Sequence, residues 1–311
     1  MRRSPFTLGH VRAGVALVVL AVGLTACSAS SDTPAKTVGG GGPGAHARPR
    51  VKLSQLVGQH LMGRFTGTKP GASFLRRIAR GELGSVILVS SNITSVPAVA
   101  KTVAELQRAA RRGGQPPLLV AIDQEGGAVK RLATMPPFES ARQLGAHGDP
   151  ALVARVGLAT GRSLRAIGIN LDLAPVLDVP RSSRSVLGSR AFGTDPRTVA
   201  RAGVAFANGI QAAGVAATAK HFPGIGTARA NTDGADVIVR SPRSVLLPRL
   251  APFEDAIRAR VGLVMVSSAR YPALDSSQLP ALLSPTRSGI SSDDNSASKV
   301  SSSRTRWAAP P

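Results

Sequence analysis

The sequence is poor in cysteine and in large aromatic side chains. Cys27 is the only cysteine among 311 residues, which excludes a disulfide within the chain. Tyr271 and Trp307 are the only tyrosine and tryptophan. Lys and Arg outnumber Asp and Glu by 39 to 17, for a formal net charge of +22. Because aromatic residues do not alternate with the basic ones, we expect no nucleic-acid partner, and the charge favours either an anionic cell envelope or a merely soluble basic surface.

Apolar runs long enough to cross a bilayer, which takes about 20 residues, are also missing. Residues 13–24 form an apolar run of about a dozen residues behind three arginines, which predicts a signal-peptide core. The run ends in LTAC, with Cys27 last, and this resembles a bacterial lipobox. The resemblance implies cleavage before Cys27 and a lipid on its sulfur. The alternative is an ordinary secretory signal that contains a cysteine.

Three segments follow the predicted signal peptide at residues 1–27. Residues 28–49 consist mainly of Ser, Gly, Pro, Ala and Thr and predict a flexible linker. Residues 50–286 suffice for one large domain. Residues 287–311 lose all periodicity and become rich in Ser and Arg, which predicts an irregular, disordered tail. We therefore expect an exported protein whose lipid anchor on Cys27 holds it at the outer face of the bacterial cytoplasmic membrane.

Residues 50–286 alternate between helical patterns and short apolar runs. The strand-like runs are 84–89, 118–122, 169–177, 215–219 and 262–267, with a possible first strand near 61–66. The helix-like stretches are 53–61, 73–81, 95–112, 150–167, 196–213 and 248–260. This alternation predicts an α/β fold with a parallel sheet and helices outside it. No nucleotide-binding glycine motif follows the first strand, so the pattern favours a TIM-type (β/α) barrel, incomplete at about six of eight strand–helix units.

Polar residues follow the predicted strands at the points where the strands end. They are Ser90-Ser91-Asn92, Asp123-Gln124-Glu125, Asp178, Lys220-His221 and Ser267-Ser268. In a barrel the carboxyl ends of the strands meet at one mouth, which predicts a pocket for a polar ligand. Each residue also has a structural interpretation, since a carboxylate often caps the next helix and a lysine is often a solvated surface charge.

The residue types in this pocket favour a hydroxylated ligand. Asp123 can accept hydrogen bonds from two adjacent hydroxyls, and the glycines after it let the backbone approach a ligand closely. The predicted donors are Arg131, Arg190, Lys220 and His221. One ligand-facing acid and several cationic donors suit a neutral substrate with hydroxyls and a carbonyl or acidic substituent.

Four motifs occur in order along the predicted barrel. They are AIDQEGGAVKRL at 121–132, LDLAPVLDV at 171–179, GSRAFGTDP at 188–196 and KHFPG at 220–224. From about residue 50 to residue 286 the chain resembles the N-terminal barrel of glycoside hydrolase family 3, specifically the bacterial β-N-acetylhexosaminidases. The resemblance implies retaining hydrolysis of terminal β-linked N-acetylglucosamine from cell-wall-type glycans, with no metal or organic cofactor. It also implies that Asp123 binds sugar hydroxyls and that Arg131, Arg190, Lys220 and His221 hold the ring and its substituents.

The acid/base loop departs from the family pattern. The family commonly has Asp-Ser-His where this chain has Asn231-Thr232-Asp233, and Ile225 replaces another usual histidine. No histidine follows His221, which excludes the family's loop His–Asp dyad. Two interpretations remain open. Either Asp233 is the acid/base, buried by the bound substrate so that it can protonate a leaving oxygen, or the barrel binds glycans without cleaving them. Asp233 as an ordinary loop residue is the third possibility.

The nucleophile segment departs as well. Ser292-Asp293-Asp294 is similar to the family's nucleophile segment, and Asp293 is the candidate nucleophile. It lies only seven residues beyond Thr286, where a helix and a strand should intervene. Either that helix is deleted, or the tail is a non-homologous end such as a truncated or frameshifted reading frame would give. A β-glucosidase of the same family is a further alternative, although those enzymes usually take their acid/base from a second domain.

Overall fold

Six parallel strands form the sheet of this protein. The computed structural model describes residues 51–285. The strands are β1 (Met62–Gly63), β2 (Ser85–Leu88), β3 (Leu119–Ile122), β6 (Leu171–Asp172), β7 (Ala216–Phe222) and β8 (Leu263–Val266). Their order in the sheet is β1-β2-β3-β6-β7-β8, which is also their order along the chain. The remaining strands, β4 (Gln124–Gly126) and β5 (Val129–Lys130), form a separate antiparallel hairpin. The sheet curls into an open half-barrel, so the predicted incomplete (β/α) barrel is confirmed.

One helix precedes the first strand of the half-barrel, and the others lie between successive strands. They are α1 (Leu53–Gly58), α2 (Ala72–Ala79), α3 (Val96–Arg112), α4 (Ala141–Ala146), α5 (Pro150–Ala166), α6 (Pro196–Ala212), α7 (Arg243–Leu246) and α8 (Ala251–Arg258). The three 17-residue helices, α3, α5 and α6, begin in the same way. Ser95, Asp149 and Asp195 cap their first turns by accepting a backbone N–H, and each helix has a proline in that turn. The cap satisfies a donor that the helix leaves unpaired, and proline is tolerated there because its missing N–H is not needed.

The fourth predicted strand is shorter than the apolar run that indicated it. Only Leu171–Asp172 of the run 169–177 pairs as a regular strand, because Pro175 has no N–H to donate. The rest of the run still lies against β7. Thr218 N–H donates to the Ala174 carbonyl at 2.8 Å, and Leu177 N–H donates to the Lys220 carbonyl at 2.7 Å. Strand β7 extends to Phe222, so Lys220 and His221 belong to the strand and do not follow it.

Apolar side chains fill both faces of the sheet, as the continuous apolar runs predicted. Between the sheet and the helices lie fully buried side chains such as Ile78, Leu106, Leu164, Phe206 and Phe253. On the inner, concave face a smaller cluster consists of Ala121, Leu171, Leu173 and Ala216. Among residues 51–285 no helix is both long and apolar enough to cross a bilayer.

The parallel strands give the half-barrel two different ends. Each helix runs back to the start of the next strand, so the C-terminal ends of the helices meet the first residues of the strands. We call this end the amino edge and the opposite end, where the strands finish, the carboxyl edge. Bonds between consecutive helix ends run along the amino edge. Gln115 Nε2 donates to the Ala79 carbonyl at 3.3 Å, Arg165 Nη1 to the Gly214 carbonyl at 3.3 Å, and Gln211 Nε2 to the Arg260 carbonyl at 3.3 Å.

Candidate active site

The corner between β3 and the β4–β5 hairpin presents two carboxylates on one side. Asp123 and Glu125 are two residues apart in extended backbone, so their side chains point the same way. Gln124 points the opposite way and is fully buried. Its Nε2 donates to the Leu132 and Pro136 carbonyls at 3.0 and 2.9 Å, and its Oε1 accepts from Leu132 N–H at 3.0 Å. Gln124 therefore fixes the corner in place and keeps both carboxylates turned toward the carboxyl edge.

Lys220 joins the two carboxylates. It arises from β7, two strands away in the sheet, and only 3% of its side chain is exposed. Its Nζ lies 2.9 Å from Asp123 Oδ1 and 2.6 Å from Glu125 Oε1. A buried ammonium is tolerated only where paired carboxylates replace its lost water. Lys220 therefore fixes the distance between the two acids.

Two arginines complete the arrangement. Arg190 donates from Nε and Nη2 to the two oxygens of Glu125 at 2.8 and 2.9 Å, which is a bidentate pair. Arg131 Nη2 donates to Asp123 Oδ2 at 3.0 Å. The result is a continuous series Arg131–Asp123–Lys220–Glu125–Arg190, which we call the charge network. Three cations and two carboxylates give it a formal charge of +1.

The charge network remains ionised near neutral pH. Burial alone would raise the pKa of Asp123, but Lys220 and Arg131 outweigh burial and hold that pKa below its ordinary value. The same holds for the pKa of Glu125, with Lys220 and Arg190 as the cations. Burial would lower the pKa of Lys220, but Glu125 and Asp123 raise it above its ordinary value. The network therefore offers fixed charges to a ligand without titrating under ordinary conditions.

Asp172 is a third carboxyl group beneath the network, at the end of β6. It is fully buried, and burial raises its pKa well above the ordinary value, since the N–H of Gln124, at 3.0 Å from Oδ1, and Lys220 compensate only in part. Among the described residues its Oδ2 has no hydrogen-bond partner. The neutral form of this side chain is therefore favoured. Asp172 is not among the predicted site residues, although a lone acid inside the apolar run 169–177 was the available signal.

His221 is held by the acid that ends the fourth predicted strand. Its Nδ1 lies 2.7 Å from Asp178 Oδ2, and Asp178 is fully buried while 15% of the His221 side chain is exposed. Asp178 Oδ1 accepts from the backbone N–H of Ile225 at 2.7 Å. With Nδ1 turned to the carboxylate, Nε2 is the ring nitrogen left for a ligand. The structure thus contains a His–Asp pair, but in the strand ends and not in the loop where the family dyad lies.

Asp233 lies apart from this buried arrangement. It is exposed in the loop after β7, where its Oδ2 accepts from Asn231 Nδ2 at 2.9 Å. Burial would lower the pKa of Arg190, but Glu125 raises it, and the charges of Asp178 and Asp233 add smaller contributions in the same direction. Asp233 therefore lies within electrostatic reach of Arg190. Asp293 and Cys27 lie outside the described residues, and their roles stay predictions.

Exposure separates the side chains that can touch a ligand from those that hold them. The exposed fractions of Asp123, Arg131, Arg190 and His221 are 16, 27, 13 and 15%, whereas Lys220 and Glu125 stand at 3 and 2%. A ligand at the carboxyl edge would therefore meet one carboxylate acceptor and three nitrogen donors. Lys220, predicted as a ligand contact, lies deeper and uses its ammonium on the two acids. Among residues 51–285 no group of three or more His, Cys, Asp or Glu side chains is placed to hold a metal ion.

Comparison with known proteins identifies the family. The glycosyl hydrolase family 3 N terminal domain matches residues 50–287. The chain belongs to this family. An uncharacterized secreted glycosyl hydrolase of Arthroderma benhamiae is 35% identical over 241 residues, covering 75% of this chain and 68% of the relative. Beta-hexosaminidase A of Pseudoalteromonas piscicida is 32% identical over 261 residues, covering 75% and 43%.

A solved structure gives the same family at the level of the fold. A family 3 β-N-acetylglucosaminidase from Paenibacillus sp. superposes with a TM-score of 0.69 at 38% identity. The match covers 75% of this chain and 45% of that protein. The chain thus spans less than half the length of two of these family 3 relatives.

Proposed function

We propose that this family 3 chain is a retaining glycoside hydrolase that removes terminal β-linked N-acetylglucosamine from cell-wall-type glycans. The observation that carries the proposal is the charge network at the carboxyl edge. Its exposed members offer one carboxylate acceptor and several cationic donors, which suits the adjacent hydroxyls and the amide carbonyl of an N-acetylated sugar. The names of the relatives, a beta-hexosaminidase and a β-N-acetylglucosaminidase, support the same substrate class.

The proposed roles follow from exposure and charge. Asp123 accepts hydrogen bonds from sugar hydroxyls, while Arg131, Arg190 and His221 donate to ring oxygens and substituents. Lys220 positions Asp123 and helps to neutralise the buried acids. A retaining hydrolase also needs a carboxylate nucleophile and an acid/base group. We assign these roles to Asp293 and Asp233, respectively, as proposals. No cofactor enters this mechanism.

Hydrolysis of 4-nitrophenyl N-acetyl-β-glucosaminide by the full chain tests the proposal. Asp293→Ala should lower kcat by at least about a thousandfold, because the covalent intermediate can no longer form. The adjacent Asp294→Ala is the matched control and should retain activity. Asp233→Asn should lower kcat by roughly 100- to 10,000-fold if Asp233 donates the proton. Turnover that survives Asp293→Ala would contradict the assigned nucleophile.

Sugar binding without cleavage is a second candidate function. It is favoured by the exposure of Asp233, whose carboxylate accepts a hydrogen bond from Asn231 of the same loop. In this case the full chain would show no turnover, yet N-acetylglucosamine would raise its melting temperature. Asp123→Asn should abolish that rise, because the sugar hydroxyls lose their charged acceptor. A β-glucosidase activity would instead appear as turnover of the corresponding glucoside.

We also propose that the protein is an exported lipoprotein held at the outer face of the cytoplasmic membrane by a lipid on Cys27. The short apolar run at residues 13–24 and the lipobox-like sequence ending in Cys27 support this. A related family member is described as secreted. Metabolic labelling with a radioactive fatty acid should mark the wild-type chain and leave Cys27→Ser unlabelled. Equal labelling of both would contradict the proposed anchor.

A further inference from the structure

An apolar patch lies at the very start of the described chain. Val51, Leu53, Leu56 and Val57 have 52, 75, 45 and 51% of their surface exposed. These four account for nearly half of the nine large apolar side chains that residues 51–285 expose. We call them the α1 patch. Single exposed apolar side chains need no explanation, but four within seven consecutive residues indicate an interaction surface, for a protein, a ligand or a membrane.

The α1 patch lies at the amino edge of the half-barrel. A Cβ added to Gly58, the last residue of α1, would lie 2.0 Å from the Gly81 carbonyl oxygen, so the helix end packs directly on the turn that enters β2. A Cβ on Gly84 would likewise meet the backbone of Gln59. An open groove of about 490 Å³ runs between Leu53 and Val57 on one side and Arg77 on the other. The patch therefore faces away from the charge network, which lies at the carboxyl edge.

Exposed arginines continue along the same edge, away from the patch. They stand at or just after the C-terminal ends of helices α2, α3, α5 and α8 and include Arg80, Arg111, Arg112, Arg165, Arg258 and Arg260. Arg111 and Arg112 make no ion pair with any described residue. A cation near a helix C-terminus also interacts with the helix dipole, and this accounts for one such residue per helix. The helix dipole does not account for the α1 patch, because the patch is apolar and α1 has no basic residue in its last turn for the dipole to attract.

An apolar patch at one end of an arginine-rich edge matches the chemistry of an anionic lipid surface. Phosphate headgroups attract basic residues, and the acyl boundary accepts exposed Leu and Val side chains. The proposed lipid anchor also favours this edge, because the linker that would follow Cys27 leads directly into α1. We propose that the amino edge docks on an anionic membrane surface, with the α1 patch at the headgroup level and the carboxyl edge turned away from the membrane. The proposed membrane tether supports this inference, but docking through the α1 patch and the arginines requires neither the lipid on Cys27 nor hydrolytic activity.

A single fluorophore on the full chain tests the orientation. In the Cys27→Ser background, Ser54→Cys places the only thiol in the α1 patch, and Ser182→Cys places it in the loop between β6 and α6 on the carboxyl side. Each labelled protein is mixed with vesicles of phosphatidylcholine and phosphatidylglycerol at about 7:3 that carry nitroxide headgroups, and flotation confirms that it is bound. We expect at least about twofold stronger quenching at position 54 than at position 182. With pure phosphatidylcholine the difference should disappear, because the basic edge has no anionic partner.

Two double variants identify the surface responsible. Arg111→Gln with Arg112→Gln should lower the vesicle-binding constant, titrated by the quenching at position 54, by roughly 25-fold, since each basic residue near such a surface contributes about fivefold. The matched control, Arg197→Gln with Arg201→Gln on α6, should leave it unchanged. Leu53→Ser with Val57→Ser should lower the same binding constant by about tenfold. The matched control, Leu279→Ser with Leu283→Ser, should leave it unchanged.

Equal quenching at positions 54 and 182 on bound protein would overturn the proposal. So would loss of quenching in the arginine variants with no effect of the Leu53 and Val57 changes, because a purely electrostatic contact is not the lipid docking proposed. Failure of the lipid anchor is measured separately by fatty-acid labelling, and failure of the hydrolase proposal by the chromogenic substrate.

Discussion

Removal of the Lys220 ammonium should be one of the most destabilising single changes in the site. Lys220→Met keeps the length of the side chain but leaves Asp123 and Glu125 buried beside each other without the cation between them. Breaking a buried ion pair in this way costs about 3–5 kcal/mol, because a charge stays buried without compensation. For a domain of this size we expect a fall in melting temperature on the order of 10 °C.

The assay is thermal and urea unfolding at pH 7, followed by far-UV circular dichroism. Lys101→Met, on the exposed face of α3, is the matched control and should change the free energy of unfolding by less than about 0.5 kcal/mol. Adding Glu125→Gln to Lys220→Met removes one of the two repelling charges. The double variant should therefore be more stable than the sum of the single changes, by up to about 3 kcal/mol.

The pH dependence gives a second test of the same reasoning. In the wild type the pKa values of Asp123 and Glu125 are depressed, so their stabilising contribution is present above the unfolded-state pKa, near 4, and is lost as the pH falls through the folded-state pKa. Lys220→Met removes the cation that the two acids share, although Arg131 and Arg190 remain, and the destabilisation caused by this change should shrink in acid. A cost of less than about 1 kcal/mol at pH 7, or one independent of pH, would refute the argument.

Three further changes probe neighbouring parts of the site and the fold. Asp172→Asn should gain stability relative to wild type as the pH rises from 4 to 7, because the raised pKa of Asp172 makes the wild type lose stability over this range. A difference in unfolding free energy, measured in urea, that does not change with pH would contradict the buried neutral acid. Asp178→Asn should cost about 1.5–3 kcal/mol of unfolding free energy, since His221 loses a charged partner; an unchanged urea midpoint would contradict this. Gly145→Ala should lower the melting temperature by several degrees, because its Cβ would lie 1.8 Å from the Phe192 carbonyl oxygen; an unchanged value would show that α4 moves freely.

The alternation of apolar runs and helical patterns predicted most of the fold. A continuous apolar run means burial on both faces, and this is what parallel strands between helices require. The rule that parallel strands finish at one edge also predicted that Asp123 and Lys220 would lie on the same side. The two atoms Asp123 Oδ1 and Lys220 Nζ are indeed 2.9 Å apart, although 97 positions separate the residues.

Sequence patterns could not predict which charges pair with which. Glu125 was noted only as part of the motif after β3, yet it is the most buried acid of the charge network and binds both Lys220 and Arg190. Asp178 and His221 were each recognised at strand ends, but their pairing depends on how the segment after β6 lies against the end of β7, which hydrophobic periodicity does not encode. The β4–β5 hairpin was also missed, because its strands are two and three residues long and carry no alternation to detect.

The charge network connects strands that are not neighbours in the sheet. Lys220 on β7 reaches across β6 to the end of β3, and Arg190 reaches Glu125 from a loop 65 residues away. No local stretch of chain can assemble this constellation, so it forms only after three strands have taken their final register. Ligand affinity in this protein is therefore a property of the folded sheet, and any sugar that binds there must stabilise the curled form over every partly assembled one. A glycan present while the chain folds would therefore act as a folding aid as well as a ligand.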